Sequence, residues 1–177
     1  MKDSDLQRLN DGIRDVQDFP KPGIVFKDIT PVLSDGELFR LSIDGFIETA
    51  REAEISKIIG IDARGFIFGA AVADRLGVGF VPIRKKGKLP WVCEGIAYKL
   101  EYGDAEVEVH RDAIVPGEKV MMVDDLLATG GTAGAALELV KKLGGDVVCA
   151  TFLIELEFLN GRDNLPDDIR VESLLKY

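Results

Sequence analysis

The chain has 177 residues, with 22 Lys plus Arg against 31 Asp plus Glu and a net charge of -9. Hydrophobic residues make up 46% and charged residues 30%, which excludes a disordered chain, and Lys and Arg cover no large face, which excludes a non-specific nucleic-acid binder. The longest apolar run, Gly65 to Ala73, is too short to cross a bilayer, and the acidic start Met1-Lys2-Asp3-Ser4-Asp5 is no signal peptide.

No repeat, low-complexity stretch or linker divides the sequence, so a single domain over 1–177 is expected. Ser4 is placed to cap a helix to about Val16, with Leu6, Leu9, Ile13 and Val16 on one stripe. Phe19-Pro20-Lys21-Pro22-Gly23 then predicts a rigid extended loop. Asp35 is placed to cap a helix from about Glu37 to Ala53. Lys57–Ile61 suits a buried strand, and Gly65–Leu76 a helix ended by Gly77. Phe80–Ile83 suits another strand, at an edge or at its own start because of Pro82.

Arg84 to Ala97 has charge, glycines and a proline but no period, and predicts a long exposed loop. Tyr98–Tyr102 and Ala105–His110 read as a hairpin around Gly103-Asp104. Val120–Val123 is a strand covered on both faces, Thr132–Leu143 a helix ended by Gly144-Gly145, and Val147–Ile154 a further apolar strand. Alternating strands and helices predict an α/β fold, a twisted, mostly parallel sheet flanked by helices. In such sheets ligands sit beyond the carboxyl ends of strands.

One strand end stands out. Val120–Val123 delivers Asp124 and Asp125, then Leu126, Leu127, Ala128, Thr129, Gly130, Gly131 and Thr132 lead into a helix. Gly130 and Gly131 let backbone N–H groups face an anion, the helix N-terminus adds partial positive charge, and Thr129 and Thr132 offer hydroxyl donors. Two carboxylates repel a phosphate, so they must serve sugar hydroxyls or a water-bridged Mg²⁺. The same pattern also fits a capped strand–helix turn with solvated aspartates. It is neither a Walker loop nor a dinucleotide fingerprint.

The motif Val-Asp-Asp followed by Ala-Thr-Gly-Gly-Thr resembles the phosphoribosyl-pyrophosphate (PRPP) motif of the type I phosphoribosyltransferases. The similarity covers nearly the whole chain. Its other pieces are Asp18 to Pro31, Ala63-Arg-Gly-Phe-Ile-Phe-Gly69, Ile83-Arg-Lys-Lys-Gly-Lys-Leu-Pro90 and Tyr98-Lys-Leu-Glu-Tyr-Gly103. Related 6-oxopurine enzymes usually carry Glu-Asp in the motif. Asp124-Asp125 followed by Leu126-Leu127 favours the adenine branch.

The resemblance implies the type I fold, with residues 1–35 as a base-binding hood and 85–102 as a flap. It implies transfer of phosphoribosyl from PRPP to adenine, giving AMP and pyrophosphate, with Mg²⁺ riding on PRPP and no direct protein ligand. The Ala128–Thr132 turn would hold the 5′-phosphate. Asp124 and Asp125 would bind ribose hydroxyls and favour the developing positive charge. Arg64, in the loop Asp62-Ala63-Arg64-Gly65 with a cis peptide at Asp62–Ala63, would bind pyrophosphate together with Arg84, Lys85 and Lys88. Backbone groups near Val25 would read adenine, Phe26 and Leu126 would sandwich it, and Lys27 would stand where arginine is common. Glu101 is the candidate for proton transfer and Tyr102 for shielding.

Each assignment has an ordinary counterpart. Arg64 also fits a surface side chain, the basic run a solvated face, Phe26 core packing, and Glu101 and Tyr102 plain strand residues. His110, the single histidine, reads as structural, Cys149 as core, and Cys93 as a thiol in a loose loop without an orienting group. A reducing cytoplasm, a homodimer, and neither nucleic-acid nor membrane partners complete the expectation. Other base specificities, and a PRPP-sensing regulator without turnover, stay open here.

Overall fold

The computed structural model describes residues 1–50, 53–100 and 103–177. The chain opens with helix α1 (Asp3–Asp11), which stops at Gly12 instead of running to Val16. Lys2 occupies its N-cap and Ser4 lies inside, so the expected serine cap is not made. A Cβ at Gly12 would lie 2.7 Å from the Leu38 side chain, so glycine lets the helix end close on its neighbour. Val16 belongs to strand β1 (Arg14–Gln17), paired antiparallel with β2 (Val25–Asp28). The proline-rich segment is therefore the link of a small hairpin, with a cis Phe19–Pro20 bond.

A short helix α2 (Thr30–Ser34), with Pro31 in its first turn, was not read from the sequence. Asp35 caps α3 (Gly36–Thr49) as expected, accepting from the amides of Glu37 and Leu38 at 2.8 and 3.0 Å. The helix ends at Thr49, short of the expected Ala53. Strand β3 (Lys57–Ile61) and helix α4 (Arg64–Leu76) follow, and Gly77 closes α4 in the left-handed conformation that suits glycine.

Strand β4 (Gly79–Lys85) is not at the sheet edge. Pro82 is tolerated because β4 meets the following hairpin only at Arg84 and Lys85, so Pro82 faces a partner on one side alone. The expected loop of Arg84 to Ala97 shrinks to residues 86–92. Strand β5 (Cys93–Leu100) already begins at Cys93 and pairs antiparallel with β6 (Gly103–His110), from Cys93↔His110 to Leu100↔Gly103. Residues 101–102, between the two strands, lie outside the described residues.

Strand β7 (Lys119–Leu127), helix α5 (Gly131–Lys142) and strand β8 (Asp146–Glu155) build the centre. Two 3-10 turns, Glu157–Leu159 and Gly161–Asn164, lead to strand β9 (Arg170–Lys176), an edge strand absent from the sequence reading. The seven-stranded sheet runs β5-β6-β4-β3-β7-β8-β9, parallel from β4 to β9. Successive β7 residues point to opposite faces. Met122 joins Leu137 and Phe152 beside α5, while Met121 joins Phe46 and Phe68 of α3 and α4. Burial on both faces explains the unbroken apolar run, and it fixes the end of β7 rigidly in space.

Candidate active site

The carboxyl ends of β3, β4 and β7 lie side by side, and each carries charge. Strand β7 runs past the apolar core, so both aspartates stand in its last turn of pleat rather than after it. Asp125 is buried, with 6% exposure, and Asp124 is half-buried. The amide of Asp125 donates to Asp124 Oδ1 at 2.9 Å. Loss of water around Asp124, and the Asp125 carboxylate next to it, push the Asp124 carboxyl well above the usual carboxylate range.

Arg64, the first residue of α4, donates through Nε to Asp125 Oδ2. The Asp62–Ala63 peptide before it is cis, as the resemblance implied. Gly65 is what lets this helix start approach: a Cβ there would stand 2.6 Å from Asp124 Oδ1. Gly60 plays the matching part on β3, where a Cβ would lie 2.7 Å from the Gly65 carbonyl oxygen. Arg84, at the end of β4, donates to Asp62 Oδ2 at 2.9 Å and to the Lys88 carbonyl at 3.1 Å. The two arginines and three aspartates thus alternate in charge across adjacent strand ends.

Two hollows open here. A notch of about 80 Å³ is lined by Asp124, by Leu126 to Gly130, and by Thr132 and Ala133. Its size admits one small anion, and Gly130, with φ +81°, makes the turn that starts α5. A wider hollow of about 440 Å³ is lined by Asp62, Lys85, Lys86, Tyr98, Glu106 and Thr132. Thr132 is common to both, and its hydroxyl donates to Tyr98 Oη at 3.2 Å. Lys86 is spoken for by Glu106 at 2.7 Å, whereas Lys85 lines the hollow and Lys88 is exposed beyond it.

The hood residues stand apart. Val25 is exposed, and Phe26 packs edge-to-face on Phe19 with centroids 5.2 Å apart. Lys27 Nζ is 2.7 Å from Asp15 and 3.9 Å above the Tyr177 ring, whose hydroxyl donates to Asn10 at 2.8 Å. None of Val25, Phe26 and Lys27 lines either hollow. Glu101 and Tyr102 lie outside the described residues.

Cys93 is corrected: it starts β5, half-buried, its Sγ donates to the Trp91 carbonyl, and burial pushes its thiol up, away from nucleophile chemistry. Cys149 is buried and in no disulfide, as a core residue should be. Sequence reading placed Asp62 in the Arg64 loop without its pairing to Arg84, and missed as site neighbours Tyr98 and Asn164, whose amide donates to the Thr129 carbonyl at 2.7 Å. Asp62 was visible as the residue before Ala63-Arg64, but nothing in the chain order marks Asn164 as a neighbour of Thr129.

Among the described residues no group of three or more His, Cys, Asp or Glu side chains is placed to hold a metal. Asp124 and Asp125 offer hard oxygen donors, which suit Mg²⁺ through its water shell. No helix among the described residues is long and apolar enough to cross a membrane.

The family model described as phosphoribosyl transferase domain matches residues 34–174. An adenine phosphoribosyltransferase of Nitrosococcus oceani is 53% identical over 172 residues, 97% of this chain and 100% of that protein. The crystal structure of adenine phosphoribosyltransferase from Rhodothermus marinus matches with a TM-score of 0.94 and 50% identity, covering 99% of this chain and 100% of that one. That from Saccharomyces cerevisiae, complexed with an imino-altritol bisphosphate and adenine, matches at 0.92 and 42%, covering 97% and 98%. With a PRPP-type motif at the end of a central strand and relatives alike over their whole length, this chain belongs to the phosphoribosyltransferase family and, within it, to the adenine phosphoribosyltransferases.

Proposed function

We propose that the chain transfers the 5-phosphoribosyl group of PRPP to N9 of adenine, forming AMP and releasing pyrophosphate, with the residue roles that follow. The observation that carries the reading is the Asp124–Asp125 pair at the mouth of the Ala128–Thr132 turn, facing Arg64. The yeast relative bound to adenine supports the choice of base.

The 5′-phosphate fits the notch, held by the amides and hydroxyls of Ala128, Thr129, Gly130, Gly131 and Thr132. Asp124 and Asp125 then reach the ribose hydroxyls. As the bond from C1′ to pyrophosphate breaks, positive charge grows on the ribose, and their negative charge stabilises it. Arg64 holds Asp125 in place and, with Arg84, Lys85 and Lys88, neutralises the departing pyrophosphate. Asp124 and Asp125 would hold Mg²⁺ through its water shell, and the chemistry it would supply with PRPP is charge neutralisation at the pyrophosphate. Most of the acceleration is positioning and electrostatics.

Residues 1–35 act as a hood over the base. Backbone groups at Val25 read the adenine edge, and Phe26 and Leu126 enclose the ring. A contact from Lys27 requires it to exchange Asp15 for the base. Residues 85–102 act as a flap that excludes water, with Tyr102 shielding the centre and Glu101 moving the N9 proton. Glu101→Gln lowers kcat more than it changes the KM for PRPP, and an unaltered kcat removes Glu101 from this role. The protein works as a cytoplasmic homodimer, with neither nucleic acid nor membrane as partner.

The test is AMP and pyrophosphate formation from PRPP and Mg²⁺, with adenine, hypoxanthine, guanine and xanthine in parallel. A backbone pattern that accepts from the 6-amino group rejects 6-oxo bases by about 10⁴–10⁵. Turnover of a 6-oxo base would keep the PRPP site and overturn the hood assignment. PRPP binding without turnover would leave a sensor instead of an enzyme.

A further inference from the structure

The glycines that make the Ala128–Thr132 turn accessible to an anion also make it loose, because glycine has the most conformational freedom to lose. Something must hold the turn in one shape. Strands β7 and β8 leave the sheet together, with Leu127 opposite Glu155 and the Leu156 amide donating to the Leu127 carbonyl at 2.9 Å. Beyond β8 the chain folds back over the turn, and the fit is close at three glycines. A Cβ on Gly130 would stand 2.0 Å from the Gly161 carbonyl oxygen. A Cβ on Gly161 would stand 2.2 Å from the Ala128 oxygen, and one on Gly134 2.4 Å from the Asn164 oxygen.

A polar lock accompanies the steric one. Asn164 Nδ2 donates to the Thr129 carbonyl at 2.7 Å. Arg162 grips Glu155 with both arms of its guanidinium, at 2.6 and 2.7 Å, and donates to the Val171 carbonyl at 3.0 Å. Glu155 is only 4% exposed, so this fork ties the Gly161–Asn164 turn to the last residue of a core strand. In a trans peptide the C=O and the following N–H point in opposite directions. With the carbonyls of Ala128 and Thr129 turned toward residues 161–164, the amides of Thr129 and Gly130 are left facing the other way.

We infer that the Gly161–Asn164 turn is a brace that sets the phosphate-binding shape of residues 128–132, with Asn164 as a positioning residue and the Arg162–Glu155 fork as its anchor. The inference rests on the reading of residues 128–132 as the 5′-phosphate site. The brace touches the PRPP side alone, so its loss weakens PRPP and leaves adenine untouched.

The test uses the full chain with Asn164→Ala, a change at an exposed side chain that leaves the core intact, and Arg162→Lys, which keeps the charge but loses the fork. The KM for PRPP rises about fivefold in Asn164→Ala, the scale of one lost hydrogen bond, and at least as much in Arg162→Lys, while the KM for adenine stays within error. Hydrogen exchange of the 128–133 amides in the unliganded protein rises in both. A purely structural role would shift both KM values together, and that result overturns the proposal. Unchanged exchange and an unchanged KM for PRPP overturn the brace itself. Faster exchange with an unchanged KM for PRPP also overturns it, and places the fault in the phosphate reading on which it rests.

Discussion

The proposed phosphate turn, residues 128–132, and the proposed hood, residues 1–35, are built in opposite ways. The turn grows from an interior strand of the sheet, Asp125 at that strand's end is buried, and three close contacts around the turn leave no room for a single Cβ. The base-reading residues of the proposed hood sit on a two-stranded hairpin that carries surface pairs such as Arg14–Asp28 and Lys27–Asp15, and Val25 is 43% exposed. Packing contacts of the first kind transmit sub-ångström changes. Surface ion pairs of the second kind contribute about 0–1 kcal/mol each. On the proposed roles, the phosphate end of the ligand would meet a preformed mould, and the base end a surface that can adjust.

The largest effect expected of any single change is on the charge centre of the rigid side. Asp125→Asn lowers turnover by about 10²–10³, the scale of one lost transition-state electrostatic contact. Steady-state AMP formation measures it, and near-normal activity would remove Asp125 from the mechanism. Next comes a matched pair of glycines, both with positive φ. Gly130→Ala drives a Cβ against the Gly161 carbonyl as well as straining φ +81°, and destabilises by about 2–4 kcal/mol. Gly23→Ala in the hood, at φ +87° with nothing within 4 Å, has the backbone strain alone and loses about 1–2 kcal/mol. Equal losses in thermal melts would erase the contrast between the regions.

A smaller effect has the opposite sign. The Asp124 carboxyl is raised in the fold, so its ionised form lowers stability once the pH exceeds the ordinary carboxylate value. Asp124→Asn relieves this, raising Tm at pH 7 by about 2–4 °C, and the gain fades as the pH is lowered toward 4. Turnover falls in the same variant. The smallest effect belongs to the hood. Hydrogen bonds from Thr30, then Arg14, hold Asp28 down to about 2, so its contribution is present above the ordinary Asp value and lost as the pH falls through about 2. Asp28→Asn loses about 1 kcal/mol or less at pH 7, and acid titration of the melt shows the difference closing only near that pH.

What could be read from the chain follows the same division. Local signals carried the centre of the fold: continuous apolar runs marked β3, β7 and β8, Asp35 announced a cap, and Gly77 announced a helix stop. The Asp124–Thr132 motif was legible because strand, turn and helix start are contiguous in sequence. Elements that depend on distant partners were not. Strand β9 has neither a continuous apolar run nor a strict alternation, and it pairs along the edge that β8 offers. The hairpin of residues 14–28 was read as part helix and part loop, since Val16 fits a helical stripe as well as a strand. Pro82 was read as marking an edge or a strand start, and only the register with the β5–β6 hairpin shows how an interior strand admits it. Asn164 and Arg162 escaped for the same reason: their partners, Thr129 and Glu155, are brought to them by the fold alone.

A crystal structure with AMP bound would show whether a preformed phosphate site faces an adjustable base site. The account predicts the 5′-phosphate in the Ala128–Thr132 turn, with those backbone atoms displaced by less than about 1 Å and the Val25–Lys27 segment moving further to meet the ring. A phosphate bound elsewhere, or a turn that moves more than the hood, would contradict it.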